Sequence, residues 1–158
     1  MPRKVTKALV REAAPDRVYN NQQVTRLINR IMRDGKKQTA ERLVYSGMEK
    51  AAKKVKNENP LEVFEKAMGN IRPHMETRSR RVGGANYQIP FEVKGQRQHH
   101  LTTMWFVSAA RSRKGMSMED RIAVELVDAF NNTGTAVKKR EDVHKMADSN
   151  RAFAHFAR

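Results

Sequence analysis

The chain contains no cysteine, which removes disulfides, thiolate nucleophiles and cysteine-ligated metals together. No stretch approaches the roughly 20 apolar residues of a membrane-spanning helix, and no apolar secretory segment opens the sequence. These absences point to a reducing, soluble compartment, the cytoplasm, and away from a membrane. Glycine is scarce, with 8 in 158 residues. None sits in a nucleotide-binding loop, because the adjacent Gly83 and Gly84 are not followed by a lysine and a helix. A nucleophile elbow and a two-histidine helix motif are also missing. The carboxylate pairs Glu119–Asp120 and Glu141–Asp142 stand at expected helix starts, where capping and the helix dipole account for them. The chain therefore reads as having no catalytic residues, no cofactor and no small-molecule substrate.

Negative charge is the other shortage. Asp and Glu number 17 against 32 Lys and Arg, a formal net charge of +15, and the isoelectric point is near 10.6. Between Lys94 and Met118 there is no acidic residue at all. An excess of this size implies a polyanionic partner.

What the sequence does have is a two-stranded arm over residues 72–94. Tyr87, Ile89, Phe91 and Val93 alternate with Asn86, Gln88, Pro90 and Glu92, the period of a strand. A second run, Met75 to Arg81, precedes it, and Gly83–Gly84 between them supply the positive φ angles of a tight hairpin. Strands of about eight residues would carry the tip some 25 Å from its base. Both edges would be open, and an isolated hairpin is marginally stable, so something outside the arm is expected to complete it. The arginines near the tip, Arg78, Arg80 and Arg81, suit forked hydrogen bonds to phosphate.

The remainder reads as helical. A basic extension, residues 1–17, comes first. From Asn20 an apolar stripe of Val24, Leu27, Ile28, Ile31 and Met32 runs to Asp34–Gly35, with Arg26, Asn29, Arg30 and Arg33 on the opposite face. Two readings fit that face, a solvated surface and a nucleic-acid backbone contact. A second helix covers Lys37 to Lys54. Asn59, Pro60 and Glu62 announce a third, which Pro73 stops. The apolar segment Leu101 and Met104 to Ala110 surrounds its helix, the pattern of a central buried element. Trp105 and Phe106 belong to the core on this reading, and His99 and His100, being adjacent, diverge by about 100° and cannot share a metal. Ser117 with Glu119 and Asp120 caps a fifth helix. A sixth begins near Val137 with Lys138, Lys139 and Arg140 opposing its dipole, which implies an anion to meet them. Residues 149–158 leave as a tail with Phe153 and Phe156 available to dock. The expected fold is mainly α, a single domain of about six helices with a protruding two-stranded β-hairpin arm.

Four blocks are long and particular: Asp34 to Lys37, Ser79 to Gly84 with Tyr87 to Pro90, Gly134 to His144, and Asn150 to His155. In these the sequence resembles the bacterial type of the small-subunit ribosomal protein seven family. The resemblance implies a six-helix body bearing a hairpin arm. It also implies primary binding to the 3′ major domain of small-subunit ribosomal RNA and nucleation of head assembly. By the same resemblance the arm lies at the subunit interface, near the exit-site transfer RNA and the messenger path, with small-subunit proteins nine and eleven as neighbours. Some bacterial members also repress translation of their own message.

Recognition of RNA shape at a multi-helix junction would rest on phosphate and 2′-hydroxyl contacts, with base contacts kept for loops. The candidate phosphate ligands are Arg3, Lys4, Lys36, Lys37, Arg78, Arg80, Arg111, Arg113, Lys138, Lys139 and Arg140. Arg97 and Lys114, at the basic ends of the central helix, and the tip glycines Gly83 and Gly84 complete the set, with Tyr87 and Arg81 as candidates for stacking or base-edge contact. A rival reading is a DNA-architectural protein whose ribbon wedges Ile89 and Pro90 into a minor groove.

Overall fold

The computed structural model describes residues 13–157. Helices α1 (Gln22–Ile31), α2 (Lys37–Val55) and α3 (Pro60–Ile71) precede the hairpin of β1 (Met75–Val82) and β2 (Ala85–Glu92). Helices α4 (Gly95–Ser112), α5 (Met118–Phe130) and α6 (Thr135–Ser149) follow, and a 3-10 segment, Arg151–Ala157, closes the described chain.

Local chemistry sets most of these limits. The side chain of Asn21 accepts the Gln23 N–H at 2.7 Å, and that of Asn59 accepts the Leu61 N–H at 3.1 Å while donating to Glu62 at 3.1 Å. Ser117 caps α5 through the Asp120 N–H. Helix α1 ends at Ile31, short of the expected Asp34–Gly35; those two residues, with φ of +52° and +72°, form the turn into α2. The presumed extension also begins to be structured earlier than residue 17 suggests. Asp16 is buried and accepts the N–H groups of Val18, Tyr19 and Asn21, each at 3.0 Å, and the Tyr45 hydroxyl at 3.2 Å.

Helices α4 and α5 share the centre. Helix α5 packs against α2, α3, α4 and α6, and α4 against α1, α3, α5 and α6. Phe64, Phe106, Leu27, Ile28, Met48, Ile122 and Leu126 are fully buried, and each contributes about 1.5–3 kcal/mol of transfer free energy. Helices α2 and α5 cross closely because residue 47 is glycine: a Cβ there would meet Ile122 Cγ2 at 2.7 Å and the Glu119 carbonyl oxygen at 3.1 Å. Trp105 and Phe106 lie in this core.

A further expectation needs correction. Helix α4 is not apolar all round; Arg97, His100, Met104, Ser108 and Arg111 are exposed at three- and four-residue spacing and form a solvent-facing stripe. The arm, expected to be completed from outside, is packed against the chain's own α6 and 3-10 segment. The hairpin forms with Val82 opposite Ala85 and Met75 opposite Glu92, around Gly83 and Gly84 with φ of +57° and +90°. Both strands pack on α6, and β2 also packs on the 3-10 segment. At the root His74 donates its N–H to His144 Nε2 at 3.1 Å, and Val93 donates to the His74 carbonyl at 2.8 Å. Ile89 and Pro90, on opposite faces of the strand, are both buried, so the root is covered on both sides.

Candidate nucleic-acid interface

Helices α1 and α4 lie side by side, and their exposed faces enclose an open groove. Its lining is Arg26, Asn29, Arg30, Gln96, Arg97, His99, His100 and Thr103, with no carboxylate among them. The spacing explains the clustering: Arg26 and Arg30 are one helical turn apart on α1, and Arg97 and His100 are on the exposed stripe of α4. Arg30 and His100 meet at 3.3 Å. Burial, then the cations Arg72 and Arg26, hold His99 below the usual imidazole range; burial, then Arg30 and Arg97, do the same to His100. A cationic lining without a carboxylate is chemically suited to an anion.

Arg97 is positioned from behind. It donates to Glu76 from Nε at 3.1 Å and from its terminal nitrogen at 3.0 Å, and Arg78 Nε donates to the same carboxylate at 2.6 Å. Glu76 is 6% exposed. Burial pushes its carboxyl up, but the hydrogen bonds from Arg97 and Arg78 outweigh this and hold it below the usual carboxylate range. One buried anion therefore sets the direction of a groove cation and an arm cation, and both arginines keep about half their side-chain surface exposed.

The basic face continues past the C-terminus of α1. Arg111 donates to the carbonyls of Arg30 and Ile31 at 3.3 and 3.4 Å, a cationic cap on that helix. With Arg33, Lys36 and Arg121 it rims a second pocket floored by Ile31, Met32, Ala40, Leu43 and Met118. Lys37 is exposed and pairs loosely with Glu41 at 3.7 Å.

Other candidates are placed differently. Arg3 and Lys4 lie outside the described residues. Arg113 is turned inward to Glu125, at 3.0 and 2.7 Å, and to Asp128. Burial pulls its guanidinium down, but the hydrogen bonds to those two carboxylates dominate and raise it. Arg140 ties α6 to the Asn70 carbonyl and to Asn132 and Glu141, so these two arginines brace the fold. At the start of α6, Glu125, fully buried, accepts the Ala136 N–H at 3.1 Å. Lys114, Lys138 and Lys139 are exposed.

On the arm, Arg78 lies over the Phe91 ring at 5.3 Å, Arg80 donates to the Phe156 carbonyl at 2.9 Å, and Arg81 is exposed beside the Gly83–Gly84 tip. Tyr87 packs against Phe153 and Phe156. Ile89 and Pro90 are buried at the root, which removes the wedge that the DNA-architectural reading requires. By sequence pattern alone Arg26 and Arg30 fit either a solvated face or a backbone contact, and adjacency excludes His99 and His100 only as joint metal ligands. The period of the exposed α4 stripe was the signal that would have joined them.

Comparison with known proteins identifies the family. A family model described as Ribosomal protein S7p/S5e matches residues 2–151. A relative from Kosmotoga olearia named Small ribosomal subunit protein uS7 is 53% identical over 150 residues, covering 95% of this chain and 96% of the relative. Relatives of the same name from Symbiobacterium thermophilum and Streptococcus agalactiae are each 56% identical over 146 residues, covering 92% of this chain and 93% of theirs. With the family model spanning nearly the whole chain and identity above one half, the chain belongs to the S7p/S5e family of ribosomal proteins.

Proposed function

We propose that the chain is a structural, non-enzymatic constituent of the small ribosomal subunit that binds its ribosomal RNA, and that the α1–α4 groove is the principal contact. The observation that carries this reading is a groove lined by three arginines and two histidines without one carboxylate, in a member of a ribosomal protein family. In finer terms, the RNA partner is the 3′ major domain, and binding there nucleates assembly of the subunit head. The arm then faces the exit-site transfer RNA and the messenger path, and proteins nine and eleven are neighbours.

The chemistry is phosphate positioning. Arg26, Arg30 and Arg97 line the groove, Arg111, Arg33 and Lys36 extend it, and Arg78 and Arg81 supply the arm. Arginine forks fit paired phosphate oxygens. The histidines add donors once protonated, and Asn29 and Gln96 provide amides for 2′-hydroxyls or base edges.

The test is binding to a 3′ major domain transcript against duplex DNA of equal length over a salt series. Preference for the RNA of a hundredfold or more, about 2.7 kcal/mol, is expected. Affinity should fall by some 10³ to 10⁵ between 50 and 200 mM salt for roughly eight neutralised phosphates. Equal affinity for both nucleic acids, or a flat salt response, would overturn the reading.

A further inference from the structure

The hairpin lacks an apolar layer of its own. Arg78, Ser79, Arg80, Arg81, Asn86 and Gln88 are all exposed, and Tyr87 is the one aromatic side chain in the outer half of the arm. A ribbon of this composition does not hold a fixed direction in water. Here the missing layer comes from the C-terminal 3-10 segment. Tyr87 lies against Phe153, with ring centroids 5.0 Å apart, and against Phe156 at 5.7 Å. The residue opposite Tyr87 across the hairpin is Arg80, whose guanidinium donates to the Phe156 carbonyl at 2.9 Å. Both members of one rung are thus bound by one short turn of chain. That rung is the third from the tip, so only Arg81–Asn86, Val82–Ala85 and the glycine pair project beyond the clasp.

We propose that Phe153 and Phe156 are positioning residues for the arm: they clasp the Arg80–Tyr87 rung, hold the hairpin in one direction, and so set its arginines for simultaneous contact with a polyanion. The polyanion in question is the RNA of the preceding reading, on which the binding half of the proposal rests. The clasp works through geometry, since neither phenylalanine carries a charge. Aromatic pairs of this spacing contribute about 0.5–1.5 kcal/mol each beyond area burial, enough to order a marginal ribbon. They are too small and too peripheral to decide the stability of the core, which contains neither residue.

The test uses the full chain with both residues changed, Phe153→Ala with Phe156→Ala, beside a conservative pair, Phe153→Leu with Phe156→Leu. Hydrogen exchange of the amides from residues 79 to 88 is read against those of α4 and α5 in the same sample. The alanine pair should speed arm exchange by about tenfold or more and leave the two helices unchanged, with the leucine pair intermediate. Binding to the 3′ major domain transcript should weaken, with a salt slope shallower by about 2 as arm phosphates are lost; a residue that served stability alone would not move that slope. Unchanged arm exchange would overturn the clasp. Faster exchange with unchanged affinity and slope, or tighter RNA binding, would overturn the positioning role, the last because the segment would then be masking the arm. If the unmodified chain shows no salt-dependent RNA binding, the preceding reading falls, and the exchange data still decide the clasp.

Discussion

The carboxylate of Glu125 accepts the backbone N–H of Ala136 at 3.1 Å inside the core. Its other oxygen receives Arg113 at 3.0 and 2.7 Å. A single buried anion therefore caps α6 and neutralises the one cation that points inward from the loop after α4. Replacing it with leucine strands a donor and weakens the pairing of Arg113. Glu125→Leu is expected to lower stability by about 2–4 kcal/mol, and Glu125→Gln, which keeps an acceptor for Ala136, by about 1–2 kcal/mol. Urea titration checks both.

Gly47→Ala should also destabilise, although alanine is the better helix former by about 1 kcal/mol. The added methyl would press on Ile122 and on the Glu119 carbonyl, and backbone cannot yield as a side chain can. Overpacking at about 1–3 kcal/mol leaves a net loss of up to about 2 kcal/mol, seen as a fall in Tm of up to about 8 °C. An unchanged Tm would mean that α2 and α5 slide apart easily.

Arginines in the groove and arginines in the fold should separate cleanly. Arg26→Ala and Arg30→Ala are each expected to reduce the salt slope of RNA binding by about 1 with little change in Tm. Arg113→Ala should lower Tm and leave the slope alone, because its charge is spent on Glu125 and Asp128. The paired measurements are calorimetry and a salt series on each variant.

The groove histidines give a pH dependence of known sign. His99 and His100 titrate below the usual 6.5 in the free protein, and phosphate in the groove favours their charged forms, so the complex binds more protons than the free chain. RNA affinity should therefore rise as pH falls from 7.5 to 6.0, and changing both to glutamine should flatten the profile. Folding stability moves oppositely. The unfolded chain binds more protons between the depressed values and 6.5, so their stabilising contribution is lost as pH drops through that window. Glu76 adds a separate acid limb, present above its unfolded value of 4.5 and lost as pH falls through the lower folded one.

Much of the architecture is legible in the sequence because its signals are local. Asn59 with Glu62, Ser117 with Asp120, and Gly83–Gly84 each act over three residues or fewer, and apolar periodicity places the buried faces of α1, α3 and α5. Glu125 escapes because a carboxylate in an apolar stripe is normally read as a solvent position. Yet it falls three residues after Ile122 and four before Ala129, on the buried face. The clasp was only half legible. Phe153 and Phe156 are plainly free to dock, but Tyr87 and Arg80 lie too far back for any spacing rule to name them. The groove escaped for the same reason, since α1 and α4 meet only in the folded body.

The bond from Arg80 to Phe156 spans 76 positions of chain, and that separation has a consequence in time. At roughly 5–20 residues per second of synthesis, the segment that covers the arm is made some 4 to 15 seconds after Arg80 itself. During that interval α4, α5 and α6 emerge and the hairpin stands without its cover, with the Phe156 carbonyl not yet there to receive Arg80. A nascent chain thus has its α1–α4 groove in place before its arm can be clasped, and on the clasp proposal the groove can meet RNA before the arm does.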